Sequence, residues 1–346
     1  MQQFPRSGTR EMPNLDLLRS IAVTLVVVEH ILLAMHLRHI IGLDFAWLGV
    51  VGVFMFFVHT SLVLMWSIER KPQVLGFYIR RFFRIYPLAV AAILVTVMFH
   101  IPTLQNIDGD TFYQAPSFKN LVENLLLIQN LGHAPSILGV MWTLPPELDM
   151  YLLLPFLFFF LRQNFLLWPL FLVWSVSAAY AFSLFPSNNS TFLVCIPYFL
   201  SGVISYVLFS KVRARLPAFL MPVLVAVLLC GFMVHPSWPM GWALTLTLGL
   251  ALPFFRQIRA KWLIRCSHQM AKYSYGIYLA HPFCIAIGIN LLHRYNLTIR
   301  IAAIVFSLAL IVVITFHLLE KPMMDFGASL AARVEAPKAQ PAILSQ

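Results

Sequence analysis

The chain has 346 residues, is 60% hydrophobic and only 11% charged, and has a mean hydropathy of +0.82. An ordinary soluble domain is about 45–50% apolar and about 25% charged, so this chain lacks the polar surface to cover itself and reads as an all-α polytopic membrane bundle. Its net charge of +11 has no soluble domain to carry it as a nucleic-acid site and is better explained by membrane topology.

The apolar pattern predicts about ten spans, near 15–36, 45–67, 85–101, 141–161, 165–185, 191–210, 217–234, 238–255, 272–292 and 299–319. The segment 119–140 is only partly apolar and suits an interfacial or re-entrant helix. With the N-terminus in the cytoplasm, only Arg38, Lys119, Arg294 and Arg300 of the 24 Lys and Arg fall on the opposite face. That asymmetry predicts an even number of spans with both termini cytoplasmic. The first span is interrupted by Glu29 and His30 and lacks a small-residue cleavage site, so it is expected to be retained. One membrane domain, 1–326, is expected to be followed by a disordered cytoplasmic tail, 327–346. Cys195, Cys230, Cys266 and Cys284 form no close pair and no zinc spacing, and are expected to be buried small apolar side chains.

The first span, LDLLRSIAVTLVVVEHILLAMH, carries Asp16, Arg19, Glu29 and His30. A charge near the bilayer centre costs roughly 2.5–3.5 kcal/mol on insertion scales, which makes these residues functional candidates. Arg19 and His30 are separated by about three helical turns and about 16 Å, so they share a face. With Arg19 at one interface, His30 falls near the bilayer midplane. The second span, GVVGVFMFFVHTSLVLMW, has Gly49 and Gly52 for close backbone approach and the polar run His59, Thr60, Ser61, which suits helix-to-helix hydrogen bonding.

Next comes FYIRRFFRIYP, with Arg80, Arg81 and Arg84 among aromatics. Such a cluster suits bidentate phosphate capture, and equally suits an anchor at the lipid headgroups. In MWTLPPELDMYLLLPF, Glu147 and Tyr151 lie one turn apart; Glu147 is either an acid favoured by the helix dipole or a partner for a buried Arg or His. In YSYGIYLAH, Ser274, Tyr278 and His281 share a helix face and form a candidate polar lane. Glu320 closes the last span, placed to neutralise the arginines. There is no P-loop, HExxH or GxSxG. The candidate reactive group is therefore an imidazole, acting as a base or as a nucleophile toward a thioester. No metal site is expected. Intramembrane His, Glu and Arg also make proton relays, which keeps a polysaccharide or proton-coupled transporter as the rival reading.

Taken in order, these stretches resemble the membrane acyltransferase family 3 proteins, the O-acetylases of bacterial surface polysaccharides. LDLLRSIAVTLVVVEH is similar to the family's LDxLRxIAxxxVxxxH, with Arg19 and His30 at its R-x10-H positions. GVFMFFVHTSLVL is similar to xxxFFxxSGxxL, with Thr60 and Ser61 in place of Ser-Gly, and RRFFRIYP to RRxxRIxP. WTLPPELDMYLLLP is similar to WSLxxExxFYxxxP through Glu147 and Tyr151, YSYGIYLAH to SYxxYLxH, and EKP to ExP. The resemblance implies a bacterial inner-membrane enzyme without a permanently bound cofactor. It implies acetyl-CoA, or another acyl-CoA, as co-substrate at the cytoplasmic face, and a carbohydrate or lipid-linked saccharide hydroxyl as acceptor. It implies essential roles for Arg19 and His30 and donor binding by Arg80, Arg81 and Arg84. In that scheme Arg19 and Glu29 tune His30.

Overall fold

The computed structural model describes residues 12–106, 108–163, 167–183 and 191–336. It is built of helices: α1 (Pro13–Ala34), α2 (Leu48–Arg70), α3 (Val74–Phe99), α4 (Phe118–Leu125), α5 (Leu144–Gln163), α6 (Leu167–Ser183), α7 (Thr191–Lys211), α8 (Leu220–Val234), α9 (Trp238–Ala251), α10 (Lys261–Ala286), α11 (Leu297–Thr315) and α12 (Lys321–Glu335). The strands among the described residues are two short antiparallel hairpins, His39–Ile40 with Leu43–Asp44 and Leu104–Gln105 with Thr111–Phe112. Among the described residues, seven helical segments are long and apolar enough to cross a membrane, and α6 and α8 are shorter apolar helices. The protein is a multi-pass integral membrane protein.

Helix α2 runs through the middle, packed between α1 and α7; α10 closes on the other side of α1. Helix α7 carries α6 and α9, α10 carries α11, and α3 is paired with α12. The close α1–α2 approach depends on Gly49 and Gly52: a β-carbon on Gly52 would stand 2.5 Å from the Ala22 carbonyl oxygen. The N-terminus of α1 is tied down by the buried Asn14, whose amide donates to the Arg256 carbonyl and whose oxygen accepts from the Ile258 N–H. At the opposite end of α1 sits the 104–112 hairpin. Gln105 donates to the His30 carbonyl, and Gly109, at φ +98°, lies against the Leu33 carbonyl where a β-carbon would collide.

Several expectations are corrected. The third span does not begin near 85: α3 starts at Val74, so all three arginines lie inside the helix. Pro87 removes one backbone hydrogen bond without ending it, because the preceding turn is docked on α12, with Phe83 edge-on to Phe326 at 5.2 Å. The expected tail is helical as far as Glu335, and 337–346 lies outside the described residues. Its order comes from pairing with α3: Glu335 is bonded to Arg80 at 2.5 Å and faces Lys71 at 3.9 Å. The segment 119–140, expected not to form a full span, holds the short α4, capped by Ser117, before a 3-10 turn at Gly139–Thr143, and here no correction is needed. Cys195 and Cys284 are buried, but Cys230 and Cys266 are exposed on the outer faces of α8 and α10. The first-span expectation for the signal region falls partly on residues 1–11, outside the described residues.

Candidate active site

The polar residues of the interior gather at two levels along α1. The first is centred on Arg19. Two adjoining cavities, about 60 and about 80 Å³, share Arg19, Thr60, Glu147 and Tyr275 in their walls. Val53, Thr143, Ser274 and Tyr278 are among the other residues of one, and His59, Arg81, Arg84 and Tyr151 among those of the other. Five helices therefore converge here: α1, α2, α3, α5 and α10. Tyr151 donates to Glu147 one turn earlier on α5. Arg84 stands 3.6 Å from the buried Glu320, which the π-helical turn Phe316–Glu320 aims inward, and lies over the Tyr275 ring at 5.7 Å. The Tyr275 hydroxyl donates to the Ile85 carbonyl.

The charge here is incompletely satisfied. The Nε of Arg19 and the Nε of Arg81 are buried without a hydrogen-bond partner. A buried polar group left unpaired costs about 1–3 kcal/mol, and more when charged. Such donors, clustered around a small polar cavity, have the chemistry of an anion or phosphate site. Arg80 is turned the other way, to Glu335, and does not line either cavity. Asp16 also lies outside, paired with His268 at the N-terminal end of α1.

The second level is centred on His30, four residues from the end of α1. Along α1, His30 lies about 6 Å from the C-terminal end of a helix about 33 Å long. Arg19, about 16 Å away along the same helix, does not touch it. His30 instead meets Glu29, buried between α1 and α2 against Gly49, where a β-carbon would stand 2.7 Å from the carboxylate. The His30 Nδ1 also lies 3.0 Å from the Val26 carbonyl. A carbonyl can only accept, so Nδ1 carries a hydrogen, and in the neutral ring the lone pair is on Nε2. The fully buried His281 packs edge-on against His30, with ring centroids 4.9 Å apart.

The two levels are joined along α10, on which Ser274, Tyr278 and His281 do face the interior. Ser274 is back-bonded to Ala271. The Tyr278 hydroxyl donates to the Val140 carbonyl at 2.5 Å and lies 2.7 Å from the Thr143 hydroxyl. Its ring is 6.1 Å from that of His281. On the opposite face of α10, an apolar groove of about 670 Å³ runs between α3 and α11 from Leu319 to Asn290. Sequence reasoning overlooked Tyr275, whose signal was its place one turn before Tyr278, and Glu335, which carried no signal within a charged, Ala-rich stretch.

This arrangement defines a multi-pass membrane protein with a guanidinium–carboxylate centre and an imidazole centre stacked in one bundle. Residues 12–317 match the family model of the acyltransferase domain, and the chain belongs to that family, the membrane acyltransferase family 3. It is 30% identical over 178 residues to the peptidoglycan O-acetyltransferase OatA of Listeria monocytogenes, a match covering 47% of this chain and 26% of that protein. It is 29% identical over 159 residues to the acyltransferase MdmB of Streptomyces mycarofaciens, covering 44% of this chain and 36% of the relative. The matches thus span about a third or less of those relatives. No solved structure matches the chain.

Proposed function

We propose that the protein moves an acyl group, acetyl in the first instance, from cytoplasmic acyl-CoA to a hydroxyl of a cell-envelope carbohydrate or lipid-linked saccharide. The reading takes the chain as ten spans with both termini in the cytoplasm of a bacterial inner membrane. In that orientation the Arg19 centre faces the cytoplasm and His30 lies toward the outer face. The donor's phosphates bind Arg81 and Arg84, with Glu320 and Glu147 as the counter-charges they displace or reorient. Its extended arm carries the thioester inward past Thr60 and Tyr278. His30 receives the acyl carbon at Nε2, while Glu29 holds the ring and offsets the positive charge that develops on it.

The observation that carries this reading is His30, held at Nδ1 by Glu29 and Val26 so that the neutral ring keeps its lone pair on Nε2, at one end of a polar lane whose other end holds the unpaired Nε groups of Arg19 and Arg81. It is also supported by OatA, named as a peptidoglycan O-acetyltransferase. The test is release of free CoA from acetyl-CoA by the purified chain in detergent. Steady release above a no-protein control supports the assignment. Neither release nor binding of acetyl-CoA would sink it and favour transport.

A further inference from the structure

We propose that His281 is the base of the second half-reaction, taking the proton of the acceptor hydroxyl while His30 carries the acyl group. This rests on the acyl-transfer reading above. An imidazole that has formed an acyl bond at Nε2 has lost the lone pair it would need as a base. Its other nitrogen, Nδ1, is already committed to Val26 and Glu29. A hydroxyl attacking the acyl carbon must therefore lose its proton to a different group, and that group must adjoin His30.

His281 meets the requirement from three sides. Its ring is 4.9 Å from that of His30, at an interplanar angle of 76°. Its Nδ1 lies 3.1 Å from the Ile277 carbonyl, which can only accept, so Nδ1 bears the hydrogen and Nε2 is the basic nitrogen. That Nε2 is buried and has no hydrogen-bond partner. Glu29, the other acid–base group at His30, stands on the Nδ1 side and serves His30 itself. Buried side-chain nitrogens are normally matched by a partner, and this one is not. An unmatched acceptor beside the reactive imidazole is what a hydroxyl ligand would complete.

The steps balance. In the first, His30 Nε2 attacks the thioester carbon, the C–S bond breaks, and CoA leaves as thiolate, which takes a proton from water. In the second, the acceptor oxygen attacks the acyl carbon as its proton passes to His281 Nε2. The C–N bond breaks, its electron pair returns to His30, and the His281 proton is released to water.

The experiment uses the full-length chain in detergent with acetyl-CoA as donor and glycerol as the hydroxyl probe. In His281→Gln, an initial burst of one CoA per protein is expected at the wild-type rate. Steady turnover falls about 100-fold or more, and mass spectrometry finds acetyl accumulated on His30. Hydroxylamine, which needs no base to cleave an acyl-imidazole, restores turnover. His30→Ala shows neither burst nor hydroxylamine-dependent turnover. Wild-type turnover in His281→Gln overturns the base assignment alone. So does loss of the burst in both His281→Gln and His281→Asn, with wild-type elution on size exclusion, since His281 then only supports His30. A wild-type chain that releases no CoA overturns the acyl-transfer reading itself.

Discussion

Gly49 of α2 lies directly against Glu29 of α1, so close that a β-carbon would stand 2.7 Å from its carboxylate oxygen. The glycine is the space in which the acid turns toward His30. Gly49→Ala is expected to displace the carboxylate and lower acyl transfer about 10-fold, and Glu29→Gln to lower it by a similar factor. If the two act through one contact, the double variant loses little more than either alone. Initial rates of CoA release on the three variants check this; additive losses would separate Gly49 from Glu29.

His30→Ala is expected to abolish acyl transfer while leaving the amount of protein in the membrane unchanged. The ring is partly exposed, its hydrogen-bond partners lie within its own helix turn and it touches α10 through the His281 ring, so the fold is expected to tolerate its removal. Quantitative immunoblotting of membranes beside the CoA-release assay makes the comparison. Substantial remaining turnover would remove His30 from the chemistry.

The three arginines of α3 should separate. Arg81 and Arg84 line the inner cavity, whereas Arg80 is held by Glu335. Arg81→Ala and Arg84→Ala are each expected to weaken acetyl-CoA binding about 10-fold or more, roughly the loss of one charge-assisted hydrogen bond. Arg80→Ala should change it less than about threefold. Isothermal titration in detergent measures all three. Unchanged affinity in both Arg81→Ala and Arg84→Ala would return the cluster to a headgroup anchor.

The α3–α12 pairing should be reversible in charge. Glu335→Arg puts two cations together and is expected to destabilise the protein by about 1.5–3 kcal/mol, the scale of a hydrogen bond to a charged group. Adding Arg80→Glu should recover most of the loss. Thermal unfolding in detergent reads both variants. No recovery in the swap would show that α12 is held by its Phe326 and Gly327 contacts with Phe83 instead.

Outside the membrane, Arg38 grips Asp44 through two hydrogen bonds, at 3.0 and 2.8 Å. That grip, with a further bond from the Ala46 N–H, holds the Asp44 carboxyl below its ordinary range. A depressed carboxylate stabilises the folded form above its unfolded value of about 3.9 and loses that contribution as pH falls through the folded value. Asp44→Asn is therefore expected to lower the melting temperature at pH 7 and to narrow its gap from wild type as pH falls below about 4. A constant gap across that range would argue against the pair.

Much of the bundle was legible because membrane helices announce themselves locally. Apolar length marks Leu48–Arg70 or Leu297–Thr315 as helix without reference to any neighbour, since backbone polar groups in lipid must be satisfied within the segment. For the same reason Arg19, Glu29, His30, Glu147 and His281 stood out as polar groups in apolar runs. Partnership between helices was legible only in part. Eleven residues of helix put Arg19 and His30 on one face but about 16 Å apart, and their centres are completed by α3, α5 and α10. Arg80 and Arg81 are neighbours in sequence, yet one turns to α12 and the other to the cavity. Residues 327–335 look like solvent-loving tail until α3 supplies a surface for them. Hydrophobicity is a property each residue carries with it, so the chain alone determined which segments enter the membrane. The sequence set Glu29 beside His30 and Glu320 near the arginines, but the pairing of charges depends on which helices meet, and only the tertiary packing decided that Arg84 is the arginine facing Glu320 and that Glu335 belongs to Arg80.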